Sequence, residues 1–365
     1  MSVVKSIFSS SERSIIKLER AMLDLKNGLP VAIKAGGEAI LLYACEALSD
    51  LTLSMVKTIE AEITISLPAS RANHLFTTSY ERTVEVQLES LDIDTIKDLC
   101  FSSMAIENNY KIKEGGELSE SITSLLKAAE ILPCGLIVRL DKLDEFCRLN
   151  GICELDPHSI ASYNNEIALE LTEVCRTNLK LYNASKARIA CFKPNYGGKE
   201  HYAIIIGDLS TNNEPVIRIH SACFTGDLLG SLSCDCGEQL QSSIEYMNKA
   251  GSGIIIYLKQ EGRGIGLVNK LRAYELQQQG HDTVEANHIL GYKDDEREFL
   301  PAFVILQKLG ISKVKLLSNN PKKSSELEKY GIKVVEIIPH QAVITEHNNT
   351  YLRTKASKLG HQIDI

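Results

Sequence analysis

The chain has 365 residues, more than one ordinary core accommodates, so two domains are expected. Apolar residues at 44% and charged ones at 24% are ordinary globular usage, which excludes disordered, collagen-like and coiled-coil readings. The 40 basic and 47 acidic side chains leave a net charge of −7 with no long run of either sign, so no nucleic-acid partner is expected.

No apolar run approaches the ~20 residues of a membrane span; the longest candidate, Ala39 to Ala47, is interrupted by Glu46. The start, Met1 to Arg13, lacks the apolar centre of a signal peptide, and a soluble cytoplasmic protein with no membrane partner is expected. In chain order, Ser14 to Leu25 places Ile15, Leu18, Met22 and Leu25 at a helical period, closed by Asn27-Gly28. Pro30 to Ile33 reads as a short strand, Glu120 to Ile131 as a helix and Gly135 to Val138 as a strand. Alternation of this kind predicts an α/β or α+β domain.

Composition shifts near residue 185. Ala203 to Ile206, Val216 to His220 and Gly253 to Leu258 read as strands. The last runs into Glu261-Gly262-Arg263-Gly264-Ile265-Gly266, and a helix should follow with Leu267, Leu271, Tyr274 and Gln278 on one face, stopping at Gly280. Asp294 or Asp295 is expected to cap a helix with Phe299, Phe303 and Leu306 on its apolar face, ending at Gly310. Val314 to Leu317 reads as a strand, Asn319-Asn320-Pro321 as a helix start, Gly331 as that helix's end, and Val334 to Ile338 as a final strand.

Seven of the 10 cysteines stand alone and read as small buried hydrophobes. Cys223, Cys234 and Cys236 are different. Three thiolates suit Zn²⁺ and leave a fourth tetrahedral position for water, as in a catalytic zinc site. His220 is the nearby candidate for a fourth protein ligand, and Gly237 should supply the freedom that a Cys-x-Cys turn needs. Three coincidentally close buried cysteines are the plain alternative. The loop Glu261 to Gly266, between strand and helix, suits an anion as well as a simple tight turn, and Arg263 favours phosphate or a purine edge. Asp294-Asp295-Glu296-Arg297 and Pro321-Lys322-Lys323 put charge at two predicted helix starts, where solvated side chains and phosphate contacts are both open readings. A hydrolytic metal beside repeated anion sites points to a zinc enzyme acting on a phosphorylated nucleotide.

Six stretches, Arg218-Ile-His-Ser-Ala-Cys-Phe-Thr-Gly-Asp, Cys234-Asp-Cys-Gly-Glu-Gln, Gln260-Glu-Gly-Arg-Gly-Ile-Gly-Leu, Asn269-Lys-Leu-Arg-Ala-Tyr, Asp282-Thr-Val-Glu-Ala-Asn and Asn319-Asn-Pro-Lys-Lys, resemble GTP cyclohydrolase II. The resemblance covers residues 186–365. It implies zinc-dependent hydrolysis of GTP to 2,5-diamino-6-(5-phosphoribosylamino)pyrimidin-4(3H)-one, formate and pyrophosphate, the first step of riboflavin biosynthesis. It makes Cys223, Cys234 and Cys236 the zinc ligands, Asp295 the proton acceptor, Arg297 the nucleophile toward the α-phosphate, and Tyr274 an assisting residue. Arg218, Ile219, His220, Ser221, Ala222, Gln239, Glu261, Gly262, Arg263, Thr283, Ser318 and Lys323 match GTP-contacting positions, Mg²⁺ would bridge the triphosphate, and a homodimer is implied. Ala222 stands where the family usually has glutamate and Ser318 where it usually has threonine, so a catalytically impaired GTP-binding paralogue with a regulatory or scaffold role is the alternative.

Residues 1–185 resemble 3,4-dihydroxy-2-butanone 4-phosphate synthase in two stretches, Ala21-Met-Leu-Asp-Leu-Lys-Asn-Gly-Leu-Pro-Val and Leu126-Lys-Ala-Ala-Glu-Ile-Leu-Pro-Cys-Gly-Leu. The family's acidic, arginine-containing cluster is replaced by Lys34-Ala-Gly-Gly-Glu-Ala-Ile-Leu-Leu-Tyr-Ala-Cys-Glu, and its histidine motif has no counterpart. The expected organisation is an inactive domain of that fold over 1–185 and a cyclohydrolase domain over 186–365.

Overall fold

The computed structural model describes residues 6–107, 109–210 and 212–340. The chain forms two compact units, one of Met1–Glu166 with Val268–Glu296, the other of Ile167–Leu267 with Arg297–Ile365. The break between these units falls after Glu166, and Val268–Glu296 groups with the first of them.

The first unit opens on α1 (Ser10–Lys26). Ser9 accepts from the Glu12 amide while the Glu12 carboxylate accepts from the Ser9 amide, and Ile15, Leu18, Ala21, Met22 and Leu25 are buried at the predicted period. The strands β1 (Val31–Ala35), β2 (Glu38–Ala44), β3 (Glu62–Leu67), β4 (Val84–Gln87), β5 (Ile112–Glu114), β6 (Gly135–Arg139) and β7 (Glu154–Leu155) form one sheet in the order β5-β4-β3-β6-β2-β1-β7. Its β1–β7 pair is parallel and the others antiparallel. Between the strands run α2 (Asp50–Lys57), α3 (Ala69–Phe76), α4 (Ile93–Phe101), α5 (Glu117–Ala128) and α6 (Leu143–Asn150), with α7 (Pro157–Leu169) after β7. Leu41, Ile65, Val84, Leu99 and Leu136 share one core on this sheet. The apolar run Ala39 to Ala44 lies in β2, with Ile40 to Ala44 buried.

The second sheet begins with the hairpin β8 (Thr172–Leu181) and β9 (Ala184–Lys193), whose antiparallel pairing extends the sheet upstream of residue 185. The chain continues through β10 (His201–Gly207), β11 (Val216–Ser221), α8 (Cys236–Lys249), β12 (Ser252–Leu258), α9 (Leu267–Gln278), α10 (Thr283–Ile289), α11 (Leu300–Lys308), β13 (Lys313–Leu317), α12 (Pro321–Lys329) and β14 (Lys333–Ile338). The strand order is β14-β13-β11-β12-β10-β9-β8, parallel from β14 to β12 and antiparallel beyond. Helices α9 and α10 belong almost entirely to the first unit. Among the described residues no helix is long and apolar enough to cross a membrane.

Two helix expectations need correction. The buried face of α9 is Asn269, Lys270, Ala273 and Leu276, whereas Leu271 is 49% exposed. Polar residues are buried there because they have partners (below), which hydrophobic periodicity does not register. Helix α11 starts at Leu300 with Phe299 as its N-cap, so neither Asp294 nor Asp295 caps it, and both lie with Arg297 in the preceding connection.

His201, at the start of β10, is buried and accepts at Nδ1 from the Lys259 amide at 3.1 Å. Burial, aided by Lys199 and Lys259, pushes its pKa down to about 4. The unfolded chain takes up a proton near pH ~6.5 that the folded chain refuses until about pH 4. Stability should therefore fall as pH drops through that window, by about 3 kcal/mol from this group. Urea unfolding at pH 7 and pH 4.5 measures it, and His201→Gln should flatten the dependence; an undiminished slope in that variant would rule out His201 as the source.

Candidate active site

Strands β13, β11 and β12 are adjacent and parallel, so their carboxyl ends lie along one edge, where ligands bind in open α/β sheets. Ser221 to Cys223 leave β11, Gln260 and Glu261 leave β12, and Ser318 leaves β13. The amino ends of α8 and α12 begin at Cys236 and Pro321.

Cys223 follows β11, Cys234 lies in the next loop, and Cys236 is the first residue of α8. Their sulfurs all lie within 4.8 Å of one another, with Cys223 and Cys234 at 3.8 Å. Two glycines make this possible. A Cβ on Gly226 would sit 2.8 Å from the Cys234 sulfur and 3.1 Å from that of Cys223. A Cβ on Gly237 would sit 2.2 Å from the Gly226 carbonyl oxygen. Gly237 lies inside α8, so it serves a close backbone approach rather than the turn freedom expected of it. Gly237→Ala should force the two backbones apart, destabilise the protein by about 1–3 kcal/mol and lower its metal content; wild-type zinc stoichiometry by elemental analysis would count against this.

His220 is not poised as a fourth ligand. Its Nε2 lies 3.1 Å from Asp227 Oδ1, and its ring stacks on Tyr257 at 5.5 Å. Asp227 also accepts from the Tyr257 hydroxyl at 2.8 Å and from the Cys223 amide at 3.0 Å. This carboxylate fixes the backbone of the first cysteine. It was missed in the sequence, although it stands in the motif that carries Cys223. The donor set fits a thiophilic cation: three sulfurs converge, and the neighbouring Cys223 pushes the Cys234 thiol up, a penalty that a divalent metal reverses by taking thiolates.

Other predicted residues gather along the same strand ends. Arg218, on β11, is 5% exposed, donates to Gln239 Oε1 at 2.5 Å and keeps an Nε without a partner. Burial lowers its pKa to about 10, so it remains a cation at neutral pH. Gln239 in turn donates to Asp235 at 2.5 Å. The Ser221 hydroxyl is buried without a partner. Unsatisfied buried donors of this kind call for a ligand or water. Lys323, inside the first turn of α12, is buried and donates to the carbonyl of Ile219 at 2.7 Å. Ser318 is buried and its hydroxyl accepts from the Asn320 amide at 3.1 Å. Glu261 accepts from the Phe224 amide at 2.7 Å, and Gly262 and Arg263 both take positive φ in the tight turn that follows. Ala222 donates its amide to Leu258 at 2.8 Å, closing β11 onto β12. Arg297, of the same unit, has its guanidinium 5.6 Å from the Phe299 ring centre.

Tyr274, Thr283 and Asp295 belong to the first unit. Tyr274 is on α9 with the Lys270 ammonium 5.7 Å from its ring centre. Thr283 is the first residue of α10, behind Asp282, which accepts from the Val284 and Glu285 amides.

Three sulfurs that could hold a metal ion converge at the ends of parallel strands, in the same unit as the buried Arg218. Residues 172–339 match the GTP cyclohydrolase II family, and this region of the chain is a domain of that family. The match begins with β8, ahead of residue 186. A GTP cyclohydrolase-2 from Azospirillum brasilense is 42% identical over 250 residues, 67% of this chain and 65% of the relative. The riboflavin biosynthesis protein RibBA of Thermotoga maritima is 52% identical over 178 residues (48% and 45%), and that of Bacillus subtilis 52% over 165 (45% and 42%). The chain thus spans just under two thirds of the first relative and less than half of the other two. RibBX, a two-domain 3,4-dihydroxy-2-butanone 4-phosphate synthase from A. baumannii, covers 89% of this chain and 99% of its own at 14% identity and a TM-score of 0.35, a likeness too slight to argue from.

Proposed function

We propose that the chain hydrolyses GTP to 2,5-diamino-6-(5-phosphoribosylamino)pyrimidin-4(3H)-one, formate and pyrophosphate, at the entry to riboflavin synthesis. The observation that carries this reading is the triad of sulfurs within 4.8 Å of one another inside the family-matched region. Cys223, Cys234 and Cys236 would hold one Zn²⁺, which when bound supplies Lewis-acid activation of water near neutral pH. Arg218 and Lys323, buried cations at the strand ends, would bind GTP together with the free hydroxyl of Ser221. Ile219, His220, Ala222, Gln239, Gly262, Arg263, Thr283 and Ser318 complete the proposed binding set, and Glu261 would hold the guanine edge. Asp295 would take the proton released as the ring opens, assisted by Tyr274. Arg297 is assigned to the α-phosphate, where a guanidinium that stays charged is complementary to the anion. Mg²⁺ would accompany the triphosphate, and a homodimer is the proposed assembly.

The test is incubation of the purified zinc-loaded chain with GTP, reading formate, pyrophosphate and product mass. Stoichiometric formate and diaminopyrimidine are expected. GTP binding without formate release would favour the rival that Ala222 suggests, a binding paralogue, and a formyl-retaining product would mark an enzyme that stops early.

The amino-terminal part is proposed to be inactive toward ribulose 5-phosphate. That chemistry needs carboxylates free to hold Mg²⁺ and move protons. Here Glu46 is engaged by Arg272 at 3.0 Å and by the Leu132 amide at 2.7 Å, and Glu38 lies 3.5 Å from Arg139. The whole chain with ribulose 5-phosphate and Mg²⁺ should form no dihydroxybutanone phosphate, and sustained formation would overturn this.

A further inference from the structure

We infer that residues 1–166 act as a positioning frame for the 268–296 segment, with Arg71 and Glu46 as positioning residues for the helices that carry Thr283 and Tyr274. The inference rests on the proposed assignment of Tyr274, Thr283 and Asp295 to GTP hydrolysis.

Arg71, on α3, is fully buried, and every hydrogen bond of its guanidinium goes to a backbone carbonyl. Nε donates to Leu99 at 3.0 Å, one terminal nitrogen to Asp98 at 3.2 Å, and the other to Ser102 at 2.7 Å and to Ile289 at 2.9 Å. Leu99 and Asp98 lie in the last turn of α4, Ser102 is its C-cap residue, and Ile289 is the last residue of α10. One cation therefore caps two helix carboxyl ends at once, satisfying groups that a buried helix terminus would otherwise leave bare.

A second set of bonds holds α9. Arg272 forms a two-pronged pair with Glu46 at 3.0 and 3.2 Å, and Glu46 also accepts from the Leu132 amide. Asn269 is fully buried and donates to the Glu130 carbonyl at 3.1 Å and to the Tyr292 hydroxyl at 2.9 Å. Tyr292, also fully buried, passes its own proton to the Ile131 carbonyl at 2.7 Å. Lys127 meets Glu296 at 2.6 Å, next to Asp295. Gly291 follows α10 at φ +84°, and a Cβ there would come within 2.9 Å of Pro133 and 3.1 Å of Pro68. The receiving loop, Glu130 to Pro133, lies in one of the two stretches in which the amino-terminal sequence still resembles a synthase. Its present use is to accept the segment. A fully satisfied buried polar network specifies one arrangement of its members, and such fixing matters where displacement of a reacting group by about 1 Å can cost ~10²-fold in rate.

The experiment uses the full chain with Glu46→Gln and Arg71→Lys. Glutamine still accepts from Leu132 but loses the ion pair; lysine keeps the charge but cannot span α4 and α10 together. Hydrogen–deuterium exchange should rise in 268–296 and stay unchanged in 300–338. Glu46→Gln should lower kcat for formate release about 10-fold with KM for GTP unchanged, because it loosens Tyr274, while Arg71→Lys should raise KM through Thr283. Metal content should remain at the wild-type level in both. Unchanged exchange, or raised exchange with wild-type kinetics in both variants, overturns the inference. Should Arg71→Lys fail to fold, Glu46→Gln decides alone. If the wild-type chain does not turn over GTP, the proposed function fails, and the exchange result still decides whether the anchoring exists.

Discussion

Cys234→Ser should yield a folded chain that neither retains stoichiometric zinc nor releases formate from GTP. Serine is a harder, more weakly acidic ligand, and removing one of three sulfurs leaves a cation with two protein donors. The loss in formate release should exceed the ~10²-fold typical when only an outer hydrogen-bond partner of a metal ligand is removed. Because Cys234 lies in a loop rather than in the sheet core, near-wild-type circular dichroism is expected beside the lost metal. Full turnover by a metal-free preparation would refute the centre altogether.

Arg297→Ala should separate the two halves of the reaction. The cysteine triad is assigned to the base and Arg297 to the α-phosphate, so pyrophosphate release should fall by about 10²–10³-fold, the range for removing one group that stabilises transition-state charge. Formate release should be retained and a triphosphate-bearing pyrimidine should accumulate. Equal loss of both products would show the steps to be obligatorily linked. Unchanged turnover would reduce Arg297 to a cation resting on Phe299.

Much of this was legible in the residues. The helical period from Ile15 to Leu25 and the β-branched runs of β10 to β13 report burial directly, because the apolar spacing is set by the element's own repeat. The triad was legible because thiolate spacing is local chemistry. What escaped was non-local. The pairing of β8 with β9 extends the sheet upstream of residue 185, and nothing in a polar ten-residue strand announces its sheet. The face of α9 was misassigned since Asn269 and Lys270 are buried by specific partners far away in sequence, not by apolarity. Asp295 was expected to cap a helix from its charge, but the helix begins later, at a Leu-Pro pair. Asp227 carries no signal of its own in the cysteine motif; only its bonds to His220, Tyr257 and the Cys223 amide reveal what it holds.

The chain leaves its second unit at Leu267 and returns to it at Arg297. An insertion of this kind sets a constraint on inheritance. Two units joined by a single linker can be parted by one genetic break, each keeping its own folding information. Here a break after residue 166 would strand Asn269, Arg272 and Tyr292 from Glu130, Glu46 and Ile131, leaving buried polar atoms bare in the fragment that keeps the cysteines. The proposed inactivity of the amino-terminal part would therefore not make that polypeptide dispensable, and gene fission would be open only after the polar face of α9 had been rebuilt for solvent.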